Sequence, residues 1–361
     1  MSAVVIVKQV YLRSRGFDKI PSSSTAMIDI VSSIRKLMKE GQQLAIATVV
    51  NTWKSSPRPV GSCLVITQEG EMIGSVSGGC VEGAVVKKGL EVLATRKAVV
   101  VHYGITDEEA WEVGLSCGGE LEIFIQPFYT DAVWAELDQL LEEDAGFSLL
   151  MTLNESPQYS VVLANGEVSG TPLLKAQLAA IETAYYESDS KTLASGNHFV
   201  MTFPKKPLLL MIGSAHITVA LTEMAKMFGF ETLLIDPRAT FATKTIYKSK
   251  PDQIQIHWPQ EVLPGFDLNK NTYAVILSHD PKIDDEALKI LLKSEVRYIG
   301  ALGSRKTHAK RIDRLTAFGF SPSELDLIHA PIGLDIGSKM PREIALSIMA
   351  EIIKVKNTPL T

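Results

Sequence analysis

Two of the chain's three cysteines stand among glycines, and that setting bears on what a thiol can do. In Gly74-Ser75-Val76-Ser77-Gly78-Gly79-Cys80-Val81-Glu82, small residues lead into a helix predicted over 81–93. Cys80 then lies at or next to a helix N-terminus, where the dipole lowers a thiol's pKa and makes it a better nucleophile or ligand. Leu115-Ser116-Cys117-Gly118-Gly119-Glu120 places a second cysteine just before a predicted strand. Bulky residues are absent around both sulfurs, which suits close approach by a ligand. Cys80 and Cys117 are therefore candidate catalytic groups, with Gly78, Gly79, Glu82 and Gly118 as candidate contacts for whatever they handle. Ser55-Ser56-Pro57-Arg58-Pro59 with Gly61 is either a rigid loop that aims one cation, Arg58, or a plain turn. Cys63, inside an apolar strand pattern, reads as the small buried hydrophobe that a free cysteine usually is.

A second constellation begins where the buried-strand run Leu208–Ile212 stops at Gly213-Ser214-Ala215-His216. A helix pattern over 217–228, a capping Gly229 and a strand over 232–235 complete a βαβ unit. In a dinucleotide fold this turn must be small, because the backbone approaches a pyrophosphate seated on the helix N-terminus. Gly213, Ser214 and His216 are the candidate cofactor contacts, although Ala215 stands where Gly-x-Gly-x-x-Gly has its second glycine. Asp236 closes the second strand roughly 20 residues on, where an acid accepts bonds from ribose hydroxyls; Arg238 could instead contact a phosphate. Two further loops belong to the same carboxyl edge, Ser278-His279-Asp280 and Gly300 to Lys306. In the latter, Gly303 loosens the loop, Ser304 is placed as a helix N-cap, and Arg305 can bind a phosphate bidentately. His279 reads equally as a functional group or as a satisfied loop histidine beside Asp280.

The elements that must position these residues fall into two groups. Strand patterns at 44–50, 63–67, 98–103 and 120–126, with helices near 27–40, 81–93, 131–143 and 171–187, predict an α+β domain over 27–204. A poorly structured leader, 1–26, precedes it. The polar stretch 187–197 and Pro204-Lys205-Lys206-Pro207 put the boundary near residue 204. Beyond it, strands at 274–277 and 297–300 alternate with helices near 283–293 and 304–318, the sequence form of a Rossmann-like doubly wound parallel sheet over 205–361. The fold class is therefore α/β, with an α+β domain first.

Composition agrees with this division. At 361 residues, 46% hydrophobic and 21% charged, the chain is long enough for two cores. A net charge of −5 without long like-charge runs leaves no footprint for a nucleic acid. No run approaches the ~18 apolar residues of a membrane span. The chain reads as cytoplasmic, with reduced thiols too few for a disulfide framework.

Taken in order, these residues make the chain resemble the XdhC/CoxI family, accessory proteins of xanthine dehydrogenase and related molybdenum hydroxylases, over about residues 30–355. The resemblance is carried by Ser55 to Pro59 with Gly61, Gly74 to Glu82, Cys117-Gly118-Gly119, Ser278-His279-Asp280, Gly300 to His308, and His329-Ala330-Pro331-Ile332-Gly333-Leu334-Asp335-Ile336-Gly337. It implies a chaperone that binds the molybdenum cofactor (molybdopterin), protects it while its terminal sulfido ligand is installed, and delivers it to the apo-hydroxylase. It also implies a homodimer, and Cys80 and Cys117 as cofactor or sulfur-handling residues; a cysteine desulfurase is a further expected partner. The chain departs from the family at Gly213-Ser214-Ala215-His216, commonly Gly-Ala-Gly-His, and at Met340-Pro341, commonly Thr-Pro. The alternative is an NAD(P)-dependent oxidoreductase in which His279 or His308 moves protons. A third reading is an interaction protein that recruits a desulfurase and holds no cofactor. A catalytic subunit of xanthine dehydrogenase would need multi-cysteine iron–sulfur signatures, which this sequence lacks.

Overall fold

The computed structural model describes residues 25–53, 56, 58–79, 81–104, 119–238 and 249–360. They fall into two compact units that divide between Pro204 and Lys205. The leader expected over 1–26 lies outside the described residues except for its last two, which open the first helix.

The first unit runs α1 (Thr25–Lys39), β1 (Leu44–Trp53), β2 (Cys63–Thr67), β3 (Met72–Gly74), α2 (Glu82–Thr95), β4 (Val99–Tyr103) and β5 (Glu120–Pro127). It continues with α3 (Ala132–Glu142), β6 (Phe147–Thr152), β7 (Tyr159–Leu163), β8 (Val168–Gly170), α4 (Lys175–Glu187), β9 (Lys191–Thr192) and β10 (His198–Phe203). The strands form two antiparallel sheets of five, ordered β3-β2-β1-β5-β4 and β8-β7-β6-β10-β9. Element order and sheet order are the same in both halves, so the unit is a structural duplication of one helix–three-strand–helix–two-strand motif. Ile30 and Ile34 of α1, Trp134 and Leu137 of α3, Ile46, Val65 and Phe124 of one sheet, and Phe147, Leu149 and Phe199 of the other share one core. Alternate residues of the sheets face α2 on one side, through Ala45, Leu64 and Ile123, and α4 on the other, through Leu150 and Val200. A strand's period of two makes this possible, because successive side chains point to opposite faces.

In the second unit follow β11 (Leu208–Ile212), α5 (His216–Met227), β12 (Glu231–Ile235), β13 (Gln253–Gln255), α6 (Pro259–Val262), β14 (Thr272–Ile276) and α7 (Pro281–Leu291). Then come β15 (Tyr298–Ala301), α8 (Arg305–Ala317), α9 (Pro322–Leu325), β16 (Ile328–His329) and α10 (Pro341–Lys356). All strand pairs are parallel and the order is β13-β12-β11-β14-β15-β16. Counted within the unit this is 3-2-1-4-5-6, the Rossmann order, whose direction reverses between β11 and β14. Leu210, Ile212, Ala274 and Ile276 face α7; Leu209, Met211, Tyr273 and Val275 face α5 and α10. Both faces of the sheet are thus covered, which explains why its strands read as unbroken apolar runs. Among the described residues no helix is long and apolar enough to cross a membrane.

Candidate functional sites

In the first unit, register places Trp53 opposite Glu120, Tyr103 opposite Leu121, and Gly74 opposite Leu64. The ends of β1, β3 and β4 and the starts of β2 and β5 therefore share one edge of the sheet. The connections that begin after Trp53, Gly74 and Tyr103, which hold Arg58, Gly78 with Gly79, and Cys117, all start from that edge. In the second half of the duplication the corresponding links are shorter, 153–158, 171–174 and 193–197. The glycine and cysteine motifs are elaborations of one half, beyond what the motif's packing requires.

Glu82 organises this edge. Its buried carboxylate accepts from the Ser75 hydroxyl at 2.9 Å and from the amides of Ser77 and Gly79 at 2.9 and 2.8 Å. The Val76 amide adds a longer bond at 3.3 Å, and the Ser77 hydroxyl donates to the other oxygen. That hydroxyl in turn accepts the Val81 amide at 3.0 Å, and the Ser75 hydroxyl accepts the Gly78 amide at 3.0 Å. Burial alone would raise this carboxyl, but the bonds from Ser77 and Ser75 outweigh it and hold it at about 2. Glu82 is thus the anchor of the loop 75–79. Gly78 and Gly79 stand exposed at positive φ, and a Cβ on Gly79 would meet nothing within 4 Å, so there is room for a ligand here, although the amides themselves are taken by Glu82 and Ser75. Cys80, Cys117 and Gly118 lie outside the described residues; α2 itself begins at Glu82. Arg58 is exposed, and its carbonyl accepts the Ser56 hydroxyl at 2.8 Å.

Residues outside the marked glycines and cysteines occupy the same edge. The exposed Trp53 ring lies 5.4 Å from that of His102, whose Nε2 is 3.7 Å from a Glu120 oxygen; Asn51 donates to Glu122 at 2.7 Å. They come from three strands, and a register shift between Val49 and Asn51 brings them to one face. Cys63 is buried, bonded to Thr48 at 3.5 Å, and desolvation pushes its thiol up to about 11.

In the second unit, the turn after β11 is closed on itself. Gly213 has φ 98°, and a Cβ there would sit 2.4 Å from the Ser278 Cα, so glycine is required by the approach of the β14 loop. The Ser214 amide donates to Asp236 at 2.7 Å. Asp236 is fully buried and also takes the Arg238 amide, Nε and Nη2, each at 2.9 Å. Asp236 and Arg238 are therefore engaged with each other. His216 is exposed as the first residue of α5. His279, also exposed, has φ 61°, a left-handed conformation uncommon for a residue with a Cβ. Beside it the Ser278 hydroxyl donates to buried Asp284 at 2.5 Å.

After β15, Gly303 has φ 140°, Ser304 caps α8 by accepting the Thr307 amide at 3.2 Å, and Arg305 is exposed. Arg311 of α8 is buried and donates to the Leu302 carbonyl at 3.0 Å. A last cluster joins His329 and Gly333 of the 329–337 motif to two residues the sequence does not mark: Glu351 of α10 accepts from Tyr298 at 2.5 Å and from the Gly333 amide at 2.8 Å, with His329 Nδ1 at 3.4 Å. Among the described residues no group of three or more His, Cys, Asp or Glu side chains is placed to hold a metal ion.

Comparison with known proteins bears on both units. Residues 209–352 match the XdhC Rossmann domain, and residues 37–104 match the XdhC and CoxI family. A Bacillus subtilis protein described as a probable xanthine dehydrogenase subunit is 26% identical over 326 residues, 89% of this chain and 95% of its own length. The Escherichia coli molybdenum cofactor insertion chaperone PaoD is 23% identical over 321 residues, 88% of this chain and 85% of its own. A Bacillus halodurans crystal structure described as a xanthine dehydrogenase covers 90% of this chain and 94% of its own at a TM-score of 0.58. At 24% identity that likeness establishes the shared fold.

Proposed function

Because the chain belongs to the XdhC/CoxI family, we propose that it is a molybdenum-cofactor chaperone that serves the sulfuration of the cofactor and its insertion into a molybdenum hydroxylase of the xanthine dehydrogenase class. The observation that carries this reading is the Glu82-anchored loop. A buried carboxylate accepts bonds from Ser75, Val76, Ser77 and Gly79, and so presents an exposed glycine pair immediately before Cys80. The duplicate half of the unit makes the same turn with the short link 171–174, so packing does not demand the arrangement.

The residues fit the group. A molybdopterin brings its own dithiolene sulfurs to the metal, so the protein needs no cage of imidazoles and carboxylates; it needs room beside small residues, thiols that can carry sulfur, and a cation for a phosphate. The loop 75–79, Cys80 with Cys117, and the exposed Arg58, all on connections from one edge of the first unit, supply these in kind. When bound, the cofactor supplies an oxo-transfer metal centre whose chemistry belongs to the recipient enzyme. This chain's part is to bind it, shield it and release it. In that role it works as a homodimer, with a cysteine desulfurase as sulfur donor and the apo-hydroxylase as recipient. Three cysteines cannot supply the four thiolates of one [2Fe–2S] cluster, which argues against an electron-transferring subunit. The nicotinamide reading is disfavoured because Asp236, the residue that would take a ribose, is held by Ser214 and Arg238.

The test is reconstitution of an apo-hydroxylase from free molybdenum cofactor and a sulfur donor, with and without the chain. The chain raises the yield of active enzyme several-fold, and Cys80→Ala with Cys117→Ala removes the gain. Equal yields with and without the chain would refute the proposal.

A further inference from the structure

The turn that gives a Rossmann fold its phosphate site is unavailable here. Gly213 donates its amide to the Ile235 carbonyl at 2.9 Å, Ser214 to Asp236 at 2.7 Å, and Ala215 to the Thr218 hydroxyl at 3.0 Å. Three successive amides that could meet an anion are thus consumed within the protein, and the Asp236 carboxylate stands directly behind them. An anion would meet repulsion there.

Two strands along the same carboxyl edge, the opposite conditions hold. Helix geometry leaves the first-turn amides of α8 without intrahelical acceptors. Ser304 takes that of Thr307, which leaves those of Arg305 and Lys306 beside two exposed cationic side chains. Behind the loop lies a second, independent feature. Arg311 has only 2% of its surface exposed and reaches back along α8 to the Leu302 carbonyl, two residues before the cap. Its Nε and Nη1 have no hydrogen-bond partner among the described residues. Asp284 approaches its Nη2 only to 3.7 Å, with its other oxygen held by Ser278. Asp284 offsets part of its charge, but a buried guanidinium with Nε and Nη1 unused keeps donors in a low dielectric that an anion at the loop can satisfy.

We infer that the anion site of this unit is the β15–α8 junction: a phosphate group is bound by the Arg305 and Lys306 amides and side chains, with Arg311 as the charge behind them. The ligand class is a phosphate monoester or diphosphate, and the inference stands on this geometry whether or not the ligand is a molybdopterin.

Titration of the isotope-labelled full chain with inorganic phosphate, followed by amide resonances, tests it. Saturable shifts centre on 303–307. The Arg305→Ala, Lys306→Ala double variant, altered only on the surface, weakens binding about tenfold or more. Arg311→Met, if it folds, also binds more weakly than the parent. NAD in a second arm separates the sources: a response of the same amides to both ligands means diphosphates are accepted, a response to phosphate alone means a monoester. Shifts confined to 213–216, or no saturable shift with either ligand, overturn the inference. Neither probe contains molybdenum, so failure here leaves the chaperone reading to its own test.

Discussion

Replacing Glu82 by Gln tests the loop that the proposed function depends on. A carboxyl held at about 2 against an ordinary 4.5 corresponds to on the order of 3 kcal/mol of stability, at about 1.4 kcal/mol per pH unit. Counting bonds gives a similar figure. Hydrogen bonds to a charged acceptor are worth about 1.5–3 kcal/mol each, and the amide of Gln would turn a donor toward either Ser77 or Gly79, both of which donate here. The exposure of Gly78 and Gly79 lets water replace part of this, so we expect a loss of about 2–3 kcal/mol at pH 7. The sign with pH is fixed. Because the folded-state pKa lies below the unfolded one, the carboxylate's contribution is complete above about pH 4.5 and is lost as pH falls toward 2. Urea unfolding of parent and Glu82→Gln at pH 7 and pH 3 reads the difference, which narrows on acidification. A loss below about 0.5 kcal/mol at pH 7, or a gap that stays constant with pH, would show that the carboxylate does not hold the loop.

Two further outcomes are expected. Arg238→Met leaves fully buried Asp236 without its bidentate partner and costs about 3–5 kcal/mol, seen as a lowered unfolding midpoint; Asp236→Asn in that background recovers part of it. Cys63, buried with its thiol pushed up to about 11, resists alkylation at pH 8 until the protein unfolds, so mass spectrometry of the native protein finds at most two labelled cysteines.

The parts of the fold that were legible were those where burial writes a pattern. Leu208–Ile212 and Thr272–Ile276 are covered on both faces and read as apolar runs, and their alternation with helices predicts the parallel sheet before any pairing is known. The edge strands β3, β8, β13 and β16, two or three residues each, are too short to show a period. The duplication of the first unit is likewise silent in the sequence, because two copies can share strand order while sharing only alternation.

The candidate sites show the same division. Glu82 and Asp236 stand out in the sequence by their place beside glycine turns, but their partners decide what they do. Ser75, Ser77 and Gly79 turn Glu82 inward, and Arg238, two residues beyond Asp236, claims the carboxylate a ribose would need. No spacing rule reports which way a carboxylate turns. Glu351 meets Tyr298 from 53 residues away, and Trp53, His102 and Glu120 meet only because a bulge shifts the register of β1. Contacts made across elements depend on packing, which local pattern does not encode.

The most direct test of the central claim is to incubate the purified chain with molybdenum cofactor, remove unbound material by gel filtration, and quantify molybdenum and pterin per chain. Near-stoichiometric retention of both is expected, reduced in Glu82→Gln under conditions where that variant is folded. Absence of both metal and pterin, where a known binder retains them, would contradict it.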